Sequence, residues 1–206
     1  MELVLATGNR DKQREMKAFL RDLGVTIRTL DEFPGAPVVL EDGETCRANA
    51  GKKAVEIARF TGTLALADDT GLEVDALGGQ PGVFAARYAG PQATYADNCR
   101  KLLDELEGVP SDQRGARFLT VVAISDPSLS VEFVEGVLRG RIADHCSGGH
   151  GFGYDPVFML PELGKTLAEL TLDQKNQISH RGRALAKAKD VLKRRLEQAS
   201  GRSAAR

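Results

Sequence analysis

The order of the first thirty residues restricts the fold more than any other feature of the chain. Leu3-Val4-Leu5-Ala6 is a short apolar run that stops at Thr7-Gly8, the pattern of a buried strand. Met16, Phe19, Leu20 and Leu23 then recur at i, i+3, i+4 and i+7, which puts them on one helix face. Gly24 is a stop signal, and Val25 to Leu30 reads as a second strand. Strand, helix, strand in so short a span is a βαβ-like opening and predicts an α/β class.

The rest of the chain extends that pattern. Thr45 caps a helix expected from about Arg47 to Phe60, with Gly62 past its end. Leu64 to Ala67 and Leu72 to Val74 read as two strands around Asp68-Asp69-Thr70-Gly71. Thr94 caps a helix with an apolar face of Tyr95, Cys99, Leu102, Leu103 and Leu106, ended by Gly108 and Pro110. Phe118 to Ile124 and Val131 to Leu138 flank Ser125-Asp126-Pro127-Ser128, a hairpin signal, so the sheet is expected to be mixed. His145 to Asp155 is a Gly-rich loop, and a final helix begins near Ser179 and carries Leu185, Val191, Leu192 and Leu196. No internal repeat is visible. Ser200 to Arg206 reads as a small basic flexible tail, which leaves residues 1–199 as one large domain or two intimate lobes.

Composition excludes several classes. At 206 residues, 42% hydrophobic and 28% charged, the chain can build a core and does not read as disordered. No run approaches the ~18 apolar residues of a membrane span, and Met1-Glu2 leads straight into a strand with no secretory leader. Three scattered cysteines, Cys46, Cys99 and Cys146, form no disulfide framework. They read as small core hydrophobes in a reducing cytoplasm. His145-Cys146 with His150 matches no zinc spacing. With 28 Lys+Arg against 29 Asp+Glu the chain is no polyanion binder, although a local phosphate site stays open. Residues 193–206 hold five Lys/Arg and one Glu, so the net charge of -1 is an acidic body with a basic end.

Five segments can carry chemistry. In Thr7-Gly8-Asn9-Arg10-Asp11-Lys12 a strand enters a helix, where exposed N–H groups and the dipole favour anions. Asn9 reads equally as a plain N-cap with Lys12 solvated. Glu41 with Asp68-Asp69 can hold a hard cation such as Mg²⁺ or take a proton from water, whereas Asp-Asp-Thr-Gly is also good turn chemistry. Thr45, Asn49 and Lys53 share one helix face, either toward a phosphate or toward solvent. Gly148-Gly149-His150-Gly151-Phe152-Gly153-Tyr154-Asp155 has a glycine density that suits a backbone wrapped around something, or a mobile surface loop. There Phe152 or Tyr154 can stack on a flat ring and Asp155 can accept from its polar edge. Lys175 and Ser179-His180-Arg181-Gly182 offer donors. Cations in a first helical turn oppose the dipole, which points weakly to an anionic or electron-rich ligand.

Together these segments resemble the inosine triphosphate pyrophosphatase family, the non-canonical purine nucleoside triphosphatases. The resemblance rests on T-G-N-R-D-K at 7–12, A-D-D-T-G-L at 67–72, P-G-V-F-A-A-R-Y-A-G at 81–90, G-F-G-Y-D-P at 151–156 and S-H-R-G at 179–182. It implies a long mixed sheet flanked by helices, in two lobes around a nucleotide-binding cleft, and a homodimer. It implies hydrolysis of ITP, dITP and XTP to monophosphate and pyrophosphate with Mg²⁺. Triphosphate contacts are implied for Thr7, Gly8, Asn9, Arg10, Asp11, Lys12 and Lys53, and metal-linked acids at Glu41 and Asp69, with Asp69 also the proton acceptor. Thr70 is implied as a substrate contact, and base and sugar recognition falls to Phe152, Gly153, Tyr154, Asp155, Lys175, His180 and Arg181. A Mg²⁺-dependent pyrophosphatase of another modified nucleoside triphosphate is the alternative, since a fold does not fix a substrate. A nucleic-acid module on the C-terminal helix is disfavoured, because no aromatic platform accompanies its cations. Two positions depart from the family pattern: Ala48 stands where a Glu is usual, and Ala85 where a Ser is common.

Overall fold

In the computed structural model the described residues are 1–204, with side chains to 198. Five helices and eight strands are present among them. The strands are β1 (Glu2–Leu5), β2 (Thr26–Thr29), β3 (Leu64–Val74), β4 (Pro81–Gly82), β5 (Gly115–Ser125), β6 (Val131–Ile142), β7 (Phe158–Leu160) and β8 (Lys165–Thr166). They form one sheet in the order β2-β1-β3-β5-β6-β7-β8, with β4 on β3. β1 runs parallel to β2 and β3, while β3–β4, β6–β7 and β7–β8 are antiparallel. The α/β class and the mixed sheet are therefore as the sequence implies.

Four of the helices begin where side chains satisfy their orphan N–H groups. α1 (Arg10–Leu20) starts at Asn9, whose Oδ1 accepts from the N–H of Asp11 at 2.9 Å and of Lys12 at 3.1 Å. α2 (Cys46–Thr61) starts at Thr45, which accepts from Ala48 N–H at 3.1 Å, and ends at Gly62 in the left-handed conformation. α3 (Tyr95–Glu105) has a capping box of Thr94 and Asp97. α4 (Leu172–Ile178) has one of Thr171 and Gln174, and α5 covers His180–Ala204. Each such cap contributes about 1 kcal/mol. The backbone of α5 enters the stretch read as a flexible tail. The side chains of that stretch, and residues 205–206, lie outside the described residues.

Two compact units share the chain. The first holds residues 1–69, 121–136 and 182–206. Its core joins Leu3, Leu5, Met16, Leu20, Leu66, Ile124, Leu185 and Leu192. The second holds residues 70–120 and 137–181, packed around Leu72, Leu102, Leu106, Phe118, Ile142, Phe158 and Leu167. Full burial of each large aliphatic or aromatic side chain contributes about 1.5–3 kcal/mol.

Three expectations change. Asp68-Asp69-Thr70-Gly71 is no turn: β3 runs unbroken from Leu64 to Val74. Turn propensity is local, and pairing inside a sheet overrides it. Cys46 and Cys99 are buried, as small hydrophobes are, but Cys146 is exposed. The short helix α4 and the strands β4, β7 and β8 had no place in the sequence reading. Three cations of α5 make ion pairs within the first unit: Lys189 with Asp22 at 2.5 Å, Arg194 with Glu132 at 3.3 Å, and Arg195 with Asp126 and Glu132 at 3.0 and 2.8 Å. No helix among the described residues is long and apolar enough to cross a membrane.

Candidate active site

In the first unit, lysines and carboxylates converge where β3 meets the helix starts. Lys12, in the first turn of α1, places Nζ 3.0 Å from Asp68 Oδ1. Lys53, on the buried side of α2, donates to the Asp68 carbonyl at 2.6 Å and to the Glu41 carboxylate. Its Nζ lies 3.8 Å from Asp69 Oδ1. Asn49, one turn earlier on α2 and 1% exposed, donates Nδ2–H to Asp69 Oδ2 at 3.1 Å and accepts from Gly43 N–H at 2.8 Å. The polar face read from Thr45, Asn49 and Lys53 is thus divided: Thr45 caps the helix, and the other two turn toward Asp69.

Burial and charge oppose each other in this cluster. Burial works against the Lys53 ammonium, but Asp68, Asp69 and Glu41 outweigh it and hold its pKa above the ordinary lysine value. Burial also raises the Asp69 carboxyl above the usual carboxylate range, although Lys53 and Lys12 pull the other way. The Cys46 thiol, close to Asp69, is pushed up to about 12 by burial and then by that charge, so it stays protonated.

The strand-to-helix turn feeds the same region. Thr7 is buried, its hydroxyl accepts from Asn9 N–H at 3.2 Å, and its carbonyl accepts from Gln13 Nε2 at 2.8 Å. A Cβ at Gly8 would meet no atom within 4 Å, so nothing in the chain's own packing demands glycine there. Arg10 is exposed, and Asp11 pairs with Arg14 at 3.0 Å on its own helix.

Gly43 is different. A Cβ there would lie 2.7 Å from Asn49 Oδ1 and 2.9 Å from Ala48 Cβ. Gly43→Ala is expected to dislodge Asn49 from Asp69 and to destabilise the fold by about 1–3 kcal/mol. A thermal melt of the variant checks this, and an unchanged melting temperature contradicts it.

In the second unit, a hydroxyl–imidazole chain begins one residue after Asp69. Thr70 Oγ1 lies 2.7 Å from Thr120 Oγ1, and Thr120 Oγ1 lies 2.6 Å from His180 Nδ1. Arg181 donates to Thr70 Oγ1 at 3.1 Å. Phe118 stacks on the His180 ring with centroids 4.3 Å apart. Phe152 is half-buried, and its ring receives Lys175 Nζ at 4.7 Å and the Arg181 guanidinium at 5.3 Å. A cation over an aromatic face contributes about 0.5–2 kcal/mol.

Two loop residues have internal duties. The Tyr154 ring belongs to the unit's core and its hydroxyl donates to the Ala85 carbonyl at 2.8 Å. Asp155 forms a buried ion pair with Lys175 and accepts from Phe152 N–H at 2.8 Å, so it shapes the loop beneath Phe152. The glycines follow. A Cβ at Gly148 would run into the Ala168 backbone, and one at Gly151 into the Asp155 carboxylate. Gly153 has φ of 64° and its carbonyl accepts from Cys99 Sγ at 3.3 Å.

Thr120 is a residue of the site that the sequence does not single out, while Asp68 and Asn49 are candidates there to which the resemblance gives no role. Adjacent acids after an apolar strand were a usable signal for Asp68. Asn49 at four residues before Lys53 was a usable signal too. Thr120 carried none, since threonine is an ordinary strand former.

Among known proteins, the Ham1 family's sequence pattern matches residues 3–191. The chain belongs to the Ham1 family. A dITP/XTP pyrophosphatase of Desulforamulus reducens is 51% identical over 194 residues, which cover 94% of this chain and 96% of that protein. Among solved structures, a HAM1 protein from Coxiella burnetii superposes with a TM-score of 0.85 at 43% identity, covering 93% of this chain and 98% of that one. A nucleoside-triphosphatase / dITP/XTP pyrophosphatase from Mycobacterium abscessus gives 0.74 at 40% identity, with 91% and 98% covered. This Ham1 chain therefore shares both pattern and fold with them.

The carboxylates of the Ham1 site also bear on a divalent cation. Among the described residues, no three His, Cys, Asp or Glu gather closely enough to hold a metal unaided. Mg²⁺ seldom needs such a cage, because it keeps waters and takes one or two carboxylates plus substrate phosphates. Glu41 and Asp69, both facing Lys53, are a donor set of that type.

Proposed function

We propose that this chain is a nucleoside triphosphate pyrophosphatase that hydrolyses dITP, ITP and XTP to the monophosphate and pyrophosphate. The observation that carries the reading is the preformed cluster of Lys12 and Lys53 interleaved with Glu41, Asp68 and Asp69. Two cations held in place by buried carboxylates suit a polyanionic substrate whose charge grows during reaction. The named activity of the D. reducens relative supports it.

The proposed roles divide by chemistry. The Thr7-Gly8-Asn9 turn and Arg10, Asp11, Lys12 and Lys53 receive the triphosphate. Glu41 and Asp69 would hold Mg²⁺, which when bound polarises phosphoryl oxygens and lowers the pKa of water. Asp69 takes the proton of the attacking water, and Asn49 orients its carboxylate by donating an amide N–H hydrogen bond to Oδ2. Lys12 and Lys53 neutralise charge that develops on the phosphates. Thr70, Lys175, His180 and Arg181 contact sugar and base, and Phe152 with its overlying cations presents a flat face for the ring, with Gly153, Tyr154 and Asp155 setting the loop. Family resemblance supports a homodimer, which light scattering on the eluted protein tests directly.

Selectivity follows from donor placement. Hypoxanthine and xanthine present a 6-oxo acceptor, adenine a 6-amino donor. A site built to hydrogen-bond one rejects the other by factors of about 10⁴. The test is pyrophosphate release from a panel of nucleoside triphosphates. dITP, ITP and XTP are expected to far exceed ATP, whereas preference for a modified pyrimidine would overturn the substrate assignment. Arg181→Ala is expected to lower the ITP/ATP ratio of kcat/KM by about 10–100-fold, the loss of one charged hydrogen bond. An unchanged ratio removes Arg181 from base recognition.

A further inference from the structure

The chain Arg181–Thr70–Thr120–His180 has a direction as well as a geometry. A guanidinium only donates, so Thr70 Oγ1 is an acceptor at the Arg181 end. Each threonine has one hydroxyl proton. Two arrangements satisfy the observed 2.7 and 2.6 Å separations and keep the proton of the fully buried Thr120 hydroxyl paired within the chain. In one, Thr70 donates to Thr120 and Thr120 donates to His180 Nδ1. In the other, His180 Nδ1–H donates to Thr120, Thr120 donates to Thr70, and Thr70 accepts from both sides.

The charge of Arg181 separates the two. A hydroxyl that accepts from a cation becomes a stronger donor, because hydrogen bonds in a chain polarise one another. That favours the run from Arg181 through Thr70 and Thr120 to an accepting Nδ1. A neutral imidazole with an accepting Nδ1 carries its single proton on Nε2. Thr120 and His180 are 0% and 3% exposed, so water does not compete for the choice. Phe118, stacked 4.3 Å from the ring at 27°, holds its plane, which leaves the tautomer as the variable.

We infer that Thr120 is a positioning residue whose hydroxyl fixes His180 as the Nε2–H tautomer, so that His180 offers the base a donor and rewards a 6-oxo purine over a 6-amino one. The selectivity part rests on the assignment of His180 to the base under Proposed function; the tautomer part stands on the network alone. Thr120 touches neither substrate nor metal in this scheme and acts through the imidazole.

Imidazole ¹⁵N shifts in the substrate-free protein, at a pH where the ring is neutral, report the tautomer directly. The chain has three histidines, so His180 is assigned by difference from a His180→Gln sample. The parent is expected to show a protonated Nε2 and an accepting Nδ1. Thr120→Val, and Thr120→Ala as a second hydroxyl-free variant, are expected to lose that pattern, and Thr120→Ser to keep it. The ITP/ATP ratio of kcat/KM is expected to fall about tenfold in the first two, one hydrogen bond's worth of discrimination, and to recover in Thr120→Ser. A parent with Nδ1 protonated, or hydroxyl-free variants with the parent's shifts, would overturn the inference. Altered shifts with an unchanged ratio would instead overturn the placement of His180 at the base.

Discussion

Asp69→Asn is expected to cut kcat/KM for dITP by about 10²–10⁴-fold, the range for loss of a general base, while the protein stays folded. Asn keeps the shape and one acceptor oxygen for the Asn49 amide now 3.1 Å from Oδ2. It removes a charge that burial already disfavours, since the Asp69 carboxyl sits above the usual carboxylate range in the fold. Lys53 retains Glu41 and the Asp68 carbonyl as direct partners. The melting temperature should therefore move by no more than about 4 °C, the shift for 1 kcal/mol in a chain of this size. Pyrophosphate release from dITP with a parallel melt checks both halves. Full activity in the variant would sink the mechanism; a large melting shift would mean that Asp69 is structural.

Lys53→Met should have the opposite balance, with stability suffering as much as rate. Lys53 is 6% exposed and faces Glu41, Asp68 and Asp69. Removing the cation leaves buried carboxylates uncompensated, which costs about 3–5 kcal/mol. The pH dependence has a definite sign. The folded pKa of Lys53 is raised, so its contribution is complete below the ordinary lysine value of about 10.4 and is lost as pH rises through the higher folded value. The variant lacks that alkaline loss. Without Lys53, Asp69 loses a neighbour that lowers its pKa. Its carboxyl then binds a proton at still higher pH, and the folded variant gains stability as pH falls into the mildly acidic range. Melts of metal-free parent and variant at mildly acidic and neutral pH read this out. A variant as stable as the parent at neutral pH contradicts the account.

Much of this was legible in the chain, for identifiable reasons. The Leu3–Ala6 run, the Met16–Leu20 face and the caps Asn9, Thr45 and Thr94 are short-range signals, and the structure realises each. The Asp68–Gly71 segment misled because turn residues speak for local conformation, whereas β1 pairs with the residues just before it. The Thr171-x-x-Gln174 box before α4 is a short-range signal of the same kind as those caps. Within the site, Lys53 meets Glu41 across twelve residues and Asp68 across fifteen, contacts that no periodicity encodes. Family resemblance marks Lys53 and Glu41 as important without giving their partners. The core placement of Tyr154 was invisible too, since an aromatic in a glycine-rich loop reads as exposed.

The unbroken course of β3 limits how this protein can change length. A strand advances about 3.3 Å per residue and alternates its side chains. One inserted residue between Leu66 and Asp68 would therefore move both acids along the sheet and reverse the sides presented by everything after the insertion. Lys12 and Asn49 would then face the wrong groups, and Thr70 would leave Thr120. The Pro34–Leu40 loop has no such coupling, and its Val38 is 99% exposed. Substitutions within Leu64–Val74 can be graded in their effects, but single-residue insertions and deletions there should be all-or-none. For anyone building variants of this enzyme, that segment is a ruler to be left at its native length, and the Pro34–Leu40 loop is the place to graft.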